Sequence, residues 1–545
     1  MLNKIRYALG LTFLTLPVFS SAQEQNTGTN YSGSMGSVTV GQEQFYRLSV
    51  RPDIPIGRWG VALDVELFIE ANGKFSARGW KFGSTTEIFD SALRKLYYVR
   101  YGRPDDATFF KIGALDQVTL GYGLIMADYR NTLQYPGIKK TGLQFRFAEL
   151  GGSRFGIEGM LNNVQDFQEG GALIGFRAFG RAIGKLELGL TWVKDLDQYS
   201  GLRDSDGDGV PDEVDAFPDD ETLAFDNDGD GVADEFDSDD DNNGIIDIDD
   251  GSGLNADIAA ALMGINADYG DSFPVDTLVA RRKPFNKNRV GRDSFSILGF
   301  DAGYPLVESK SLNLKLYGQV AILSDDEDAL SEFDAQAEGV FPDNRKAEGF
   351  GIAAPGFWID LGPLNGQFEF RHFRDDFDAR YFDELYEVNR ARLDAATGRA
   401  RPKDAELIRD EDLSGAFGRL GAKLGDYLYA SASYQYLTGA NNPKQQLIGA
   451  ASLSQKLLEQ IPRLTRARAY YQKNNIGTRL NEAGEQNSKD GFLEPTEDTF
   501  YGYDIGLEMA GGVSILWDTR FLFVRGADQR LERQKIMTIE TAFQF

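Results

Sequence analysis

Between residues 61 and 70 every odd position is apolar (Val61, Leu63, Val65, Leu67, Ile69), while Asp64, Glu66 and Glu70 fall on the other parity. Successive side chains of a strand point to opposite faces, so this pattern specifies a strand with one apolar and one polar face. The same period sets Leu312, Leu314, Leu316, Val320 and Ile322 against Asn313, Lys315, Tyr317 and Gln319. It sets Leu186, Leu188, Leu190 and Trp192 against Lys185, Glu187 and Thr191, and Val513, Ile515, Trp517, Phe521 and Phe523 against Ser514, Asp518 and Arg520. About nineteen such segments can be drawn, near 44–52, 58–70, 92–102, 107–119, 141–149, 155–163, 170–179, 184–195, 294–303, 311–322, 347–360, 366–374, 413–423, 426–437, 446–455, 464–473, 499–509, 512–525 and 532–545, with a short twentieth at 36–41. Many are about ten residues long, the length a tilted strand needs to cross a bilayer.

The connections alternate between short and long. Pro52–Gly57, Gly102–Asp106, Leu150–Arg154, Gly180–Gly184, Leu361–Gly366, Leu424–Asp426 and Ala510–Gly511 are short; 71–91, 120–140, 196–293, 323–346, 375–412 and 474–498 are long. Bacterial membrane barrels keep short turns on the periplasmic side and long loops outside, whereas a soluble sandwich has no reason for such regularity. The expected fold is therefore all-β: a closed antiparallel transmembrane β-barrel of about 18–20 strands, with an irregular loop insert at 196–293.

The bulk numbers agree. Beyond the N-terminal stretch no run of 18 apolar residues exists, and the mean hydropathy is −0.36. A barrel wall stays polar on average because only every second residue meets lipid. The chain has no cysteine, so disulfides contribute nothing to its stability. At the N-terminus, Lys4 and Arg6 precede the apolar stretch Tyr7–Phe19, and Ser20-Ser21-Ala22 follows. A positive start, a short apolar core and a small-x-Ala end read as an export signal peptide over 1–22.

At the other end, Ile536-Met537-Thr538-Ile539-Glu540-Thr541-Ala542-Phe543-Gln544-Phe545 alternates and stops on an aromatic residue. This resembles the C-terminal signature of bacterial outer-membrane β-barrels, porins among them. The resemblance implies an outer-membrane location, surrounding lipid, and handling by the barrel-assembly machinery.

Net charge is −27, yet residues 204–250 alone hold 21 Asp or Glu and no Lys or Arg. Most of the excess lies in one insert, and no basic stripe suggests a nucleic-acid partner. Three segments of the insert share a frame: Asp204–Asp215, Asp226–Asp237 and Asp239–Asp250, with Gly209, Gly231 and Gly244 at the sixth position. A hard cation such as Ca²⁺ takes six to eight oxygens at about 2.3–2.6 Å. Acidic side chains at positions 1, 3 and 5 of a tight loop converge on one point, Gly at position 6 permits the turn, and the carbonyl of position 7 adds an oxygen.

With the linking Asp215-Ala216-Phe217-Pro218-Asp219-Asp220, these segments resemble the thrombospondin type 3 repeat over 47 residues. The resemblance implies Ca²⁺ as the cofactor and these ligands: Asp204, Asp206, Asp208, Val210, Asp212 and Asp215; Asp226, Asp228, Asp230, Val232, Asp234 and Asp237; Asp239, Asp241, Asn243, Ile245, Asp247 and Asp250. The valines and the isoleucine would act through their carbonyls. The repeat departs from an EF-hand in ending on Asp rather than Glu. About eleven strands follow the insert, and counting back from a periplasmic C-terminus places it outside the cell.

On the polar face, Asp64, Glu66, Lys185, Glu187, Lys315, Glu369, Arg371, Arg466 and Arg468 are expected to line the lumen. The plain reading is a salt-bridged lining; the sharper one is an anion-selecting stripe of Arg371, Arg466 and Arg468. Tyr97, Tyr101, Trp192, Tyr434, Tyr436, Trp517 and Phe521 are expected in interfacial girdles. Residues 376–396, with Tyr381, Leu385, Val388 and Leu393 at helical spacing, are expected to form a short helix in an outer loop. His372, the one histidine, has no nucleophile motif nearby, so an enzyme is not expected and no catalytic residue is assigned.

The chain thus divides into a signal peptide (1–22), an N-terminal segment (23–43), a first barrel part (44–195), an extracellular insert (196–293) with repeats at 204–250, and a second barrel part (294–545). The expected function is a porin or channel for small solutes, with surface adhesion or a structural scaffold as the alternative.

Overall fold

In the computed structural model the described residues are 30–544, apart from 41–42, 71–72, 77–79, 81–87, 89–90, 93–94, 136–137, 219, 227–228, 235, 238–284, 326–339, 341–345, 395–397, 408–411, 441–442, 477–490, 511–512 and 526–529. The signal peptide, Asp228, the third aspartate segment and Phe545 lie outside them.

Before the insert run β1 (Asn30–Val40), β2 (Glu43–Ile56), β3 (Trp59–Leu63), β4 (Val65–Glu70), β5 (Phe75–Ser76), β6 (Leu96–Tyr101), β7 (Thr108–Gly113), β8 (Gly142–Phe147), β9 (Phe155–Leu161), β10 (Leu173–Ile183) and β11 (Leu186–Asp195). After it come β12 (Phe295–Glu308), β13 (Asn313–Asp325), β14 (Glu348–Asp360), β15 (Leu364–Asp375), the small hairpin β16 (Ala391–Asp394) and β17 (Arg399–Pro402), then β18 (Leu413–Leu424), β19 (Leu428–Thr438) and β20 (Lys444–Leu453). The chain finishes with β21 (Leu464–Ile476), β22 (Thr499–Ala510), β23 (Val513–Arg525) and β24 (Leu531–Gln544).

All but the small hairpin form one antiparallel sheet of 22 strands. Outside the β3–β6 region, where β6 pairs with β3 and β5 with β4, strands that follow one another in the sheet are neighbours; Gly57-Arg58 and Gly184-Lys185 are two-residue links whose glycines take left-handed φ of 63° and 57°. β3 and β4 are halves of one interrupted strand paired with β2. β1 pairs with β2 on one side and with β24 on the other, where Ser32 stands opposite Gln544.

The alternation settles which side is which, and it is inverted relative to a soluble protein. Leu67 is 37% exposed and Leu298 49%, whereas Asp64 and Glu369 are fully buried. Apolar side chains face out and charged ones face in.

Two expectations fail where long loops turn inward. The segment 107–119 yields a strand only to Gly113, because Ala114 and Leu115 are both buried and the chain leaves the sheet. Residues 376–396 are not an outer-loop helix; helix is confined to Tyr386–Asn389, and Tyr381, Leu385 and Tyr386 are buried. Their apolar side chains pack into the sheet interior instead of onto a helix face. Leu124, Ile125 and Met126 join Phe377, Tyr381 and Phe382 in one cluster with wall residues Val193, Phe295, Leu323, Phe373 and Leu437. Among the described residues, 114–135, 376–394 and 398–407 thus form an inner body at the long-loop end.

Candidate functional site

The inner body is built by backbone pairing between two distant loops. The Arg380 amide donates to the Leu124 carbonyl at 2.7 Å, and the Ala127 amide donates to the Phe382 carbonyl at 3.2 Å. Tyr122, at the tip of the first loop, stacks on Tyr317 of β13 at 4.1 Å between ring centroids.

Ion pairs then fasten this body to the wall. Arg390, fully buried, donates through Nε to Asp195 Oδ2 at 2.6 Å, and the Tyr386 hydroxyl donates to the same oxygen at 2.6 Å. Arg380 and Arg419 both reach Asp128, at 2.9 and 3.1 Å, and Lys140 Nζ meets Glu387 at 2.6 Å. The Arg520 guanidinium of β23 donates to the carbonyls of Leu133 and Tyr135 at 2.6 and 3.1 Å. A buried ion pair adds little net stability, but removing one partner strands the other charge at a cost of about 3–5 kcal/mol. These contacts therefore specify one seating of the inner body.

The wall itself carries paired charge among the described residues. Arg47 bridges Asp64 (3.2 Å) and Glu66 (2.9 Å), and Arg177 reaches Asp301 (2.7 Å), Glu158 (3.3 Å) and Glu187 (3.7 Å). The Tyr317 hydroxyl and the Gln319 and Gln367 amides all donate to Glu369, at 2.8, 3.1 and 3.0 Å. Lys315 is half-buried, its ammonium 5.5 Å from the Tyr122 ring.

The anion-selecting stripe is not what the geometry gives. Arg371 faces Glu369 at 2.6 Å, and Arg466 and Arg468 share Asp504 at 3.1 and 3.9 Å, so each guanidinium has a carboxylate beside it. Lys185, also expected inside, sits in the β10–β11 turn, where it is exposed and pairs with Glu308. His372 shares a 2.8 Å hydrogen bond with Ser414 Oγ, on the same strand parity as the outward-facing Phe368 and Phe370.

Between the inner body and the wall lies a polar cavity of about 40 Å³, with Asp378, Arg380, Asp383, Lys403, Lys444 and Asp498 among its lining. That is room for about three waters.

The aspartate insert is the second candidate. Asp204, Asp206 and Asp208 bring carboxylate oxygens within 4.8 Å of one another. The cluster is shaped by the backbone: Asp204 accepts from the Gly207 and Gly209 amides at 2.7 and 2.9 Å, and Asp208 accepts from the Val210 amide at 2.7 Å. Gly209, at φ 96°, takes the left-handed turn that a side chain would strain.

Asp215 lies beside the cluster, 8% exposed, with one oxygen accepting from the Phe217 amide at 2.8 Å and Oδ2 without a partner. Asp206 Oδ2 is likewise buried and unpartnered. Burial first, and then the charges of Asp208, Asp206 and Asp212, push the Asp215 carboxyl up to about 6. Three clustered carboxylates with two buried, unpartnered oxygens, Asp206 Oδ2 and Asp215 Oδ2, fit a divalent cation, with hard-oxygen chemistry that suits Ca²⁺. Asp212 is turned away, held by Ser205 and by Arg203 Nε at 2.8 Å.

The second loop repeats the first at an offset of 22 residues. Asp226 accepts from the Gly229 and Gly231 amides at 2.8 and 2.9 Å, and Asp230 accepts from the Val232 amide at 2.8 Å. The Asp234 and Asp237 amides donate to Phe225 and Ala233 as those of Asp212 and Asp215 donate to Arg203 and Pro211. Asp239, Asp241, Asn243, Ile245, Asp247 and Asp250 lie outside the described residues.

Sequence reasoning missed Asp128, Asp195, Arg380, Arg390 and Arg419. One signal pointed to them: Leu124-Ile125-Met126-Ala127 is an unbroken apolar run in a loop that was expected to face water.

No known protein family matches the chain, and no curated protein does. Among solved structures it overlaps the FrpB iron transporter from Neisseria meningitidis (9% identity, TM-score 0.36, 96% of this chain and 82% of that one). It overlaps the outer membrane protein OprD from Pseudomonas aeruginosa at 8% identity and TM-score 0.29, over 95% and 93% of the two chains. Against CdiB from Acinetobacter baumannii (6%, TM-score 0.25) it covers 95% of its own length and spans 60% of that chain. OprD is an outer membrane protein and FrpB an iron transporter. At such scores no solute or partner transfers from them.

Proposed function

We propose that this chain is a closed outer-membrane β-barrel that passes a small solute past a seated inner body, and that the aspartate loops on its cell-exterior side bind Ca²⁺. The observation carrying the first half is the inverted sheet: apolar side chains cover the outside, while Arg47, Asp64, Arg177 and Glu369 are buried. Only a surface in contact with lipid makes that arrangement stable. β1 has partners on both sides, so the sheet edges meet and no strand there is left open. Outward aromatics gather at two levels, Trp192, Tyr434 and Tyr436 near the long loops and Trp59, Tyr101 and Tyr429 near the short turns, as in interfacial girdles. Export through a signal peptide and insertion by the barrel-assembly machinery complete this reading.

Planar-bilayer recording tests it. The purified protein gives small or intermittent unitary currents, and Arg390→Ala, which unseats the inner body, enlarges them. A scaffold or adhesin is the rival, favoured by the ion-paired seating itself. No current from either protein, with no solute flux into proteoliposomes, would establish that rival.

For the insert, Ca²⁺ is held in the first loop by Asp204, Asp206, Asp208 and Asp215 and in the second by Asp226, Asp230 and their repeat partners. Calorimetry on the full protein checks it: absence of a heat response up to about millimolar Ca²⁺, the range of weak extracellular modules, excludes the sites.

A further inference from the structure

The first aspartate loop is not a free appendage. Its turn is hydrogen-bonded to the segment that leads back to the wall: the Lys287 amide donates to the Gly209 carbonyl at 2.8 Å, and Asn288 Nδ2 donates to the Asp208 carbonyl at 2.7 Å. Next to that segment, Phe285 is buried against Tyr199 with ring centroids 4.7 Å apart, and its amide donates to the Gly398 carbonyl at 2.8 Å. Tyr199 and Phe285 share one buried cluster with Ala391 and Ala400 of the β16–β17 hairpin. That hairpin continues directly from Arg390, which with Tyr386 grips Asp195. On the neighbouring strand end, the Tyr381 hydroxyl donates to Gln198 at 2.9 Å.

We infer that calcium bound in the first aspartate loop locks the inner body in its seat, so that the metal regulates passage through the barrel. This rests on the calcium reading above, whose own support is the pair of buried, unpartnered carboxylate oxygens of Asp206 and Asp215. Without a cation the carboxylates repel and the loop is under-constrained. With one, the Asp208–Gly209 peptide is fixed, and through Asn288, Lys287 and Phe285 so is the hairpin that carries Arg390. A ligand stabilises whatever is ordered in its bound state by mass action, and that stabilisation reaches every segment that must open together with the site.

Hydrogen exchange followed by mass spectrometry on the full protein in detergent, with and without millimolar Ca²⁺, tests the lock. Exchange is expected to slow in 204–215 by up to about 100-fold at calcium 100 times Kd, and in 376–403 by at least about tenfold. Protection confined to 204–215 overturns the lock and leaves the calcium site standing. Protection in neither segment, with no calorimetric response, removes the site as well. Phe285→Ala should keep the calcium heat and the protection of 204–215 but lose that of 376–403; protection of 376–403 that persists in this variant overturns the route. Should Phe285→Ala cost calcium binding itself, Asn288→Ala, which removes a single side chain's contacts, replaces it with the same criterion.

Discussion

The two described aspartate loops have the same local hydrogen bonds and opposite surroundings. Val210 in the first is 1% exposed, while its counterpart Val232 in the second is 42% exposed and Phe236 is 72%. The first is docked on the segment 285–290, whereas the second leaves Val232 and Phe236 exposed. Local chemistry builds the turn in both; only docking can make its occupancy matter elsewhere. A repeat can thus be duplicated in sequence while its consequences are not.

The largest expected break in that parallel comes from the cation. Asp204→Asn and Asp226→Asn should each weaken calcium at their own loop by on the order of 100-fold, as loss of a charged ligand from a small site does. Only Asp204→Asn should raise exchange in 376–403; equal release by both variants would erase the distinction between the two loops.

Packing comes next. Phe285→Ala should cost about 3–5 kcal/mol of local stability around the β16–β17 hairpin it packs against, the range for truncating a buried aromatic. Phe236→Ala, at an exposed position, should stay within about 0.5 kcal/mol. Exchange-derived opening free energies give both numbers.

Gly209→Ala and Gly231→Ala share the strain of a left-handed turn, about 1–2 kcal/mol. A Cβ at 209 would also fall 2.6 Å from Asn288 Nδ2, while one at 231 meets nothing within 4 Å. Calcium titration should therefore find the first substitution the more damaging.

The smallest effect belongs to Arg203→Ala. Its partner Asp212 is held away from the cluster by a half-exposed pair worth at most about 1 kcal/mol after screening. Freeing it should raise first-loop calcium affinity by no more than about fivefold; a fall would mean that Arg203 supports the loop.

The contrast also explains which features the amino-acid order discloses and which it hides. The strands are legible because each position's face is fixed by its own parity: 413–423 appears as Leu413–Leu424 and 184–195 as Leu186–Asp195. The aspartate turns are legible because Gly207 and Gly209 and the acids that cap them lie within a few residues. Docking is not, since nothing in Val210 or Phe285 distinguishes a buried side chain from an exposed one. The inner body is hidden for a related reason. Asp128 finds Arg380 and Arg419, and Asp195 finds Arg390, across roughly two to three hundred residues of intervening chain, and no spacing rule connects them.

One feature of the sheet bears on how such a molecule can be made. Ser32 through Val38 find their second partner in residues 538–544, the last strand of the sheet. β1 therefore keeps one side of its backbone unsatisfied until β24 has been made. Contacts of such extreme separation form slowly and leave aggregation-prone edges waiting. Gly36→Pro, which weakens the β1–β24 pairing, should lower the yield of folded protein on refolding far more than it lowers the stability of molecules in which that pairing has already formed.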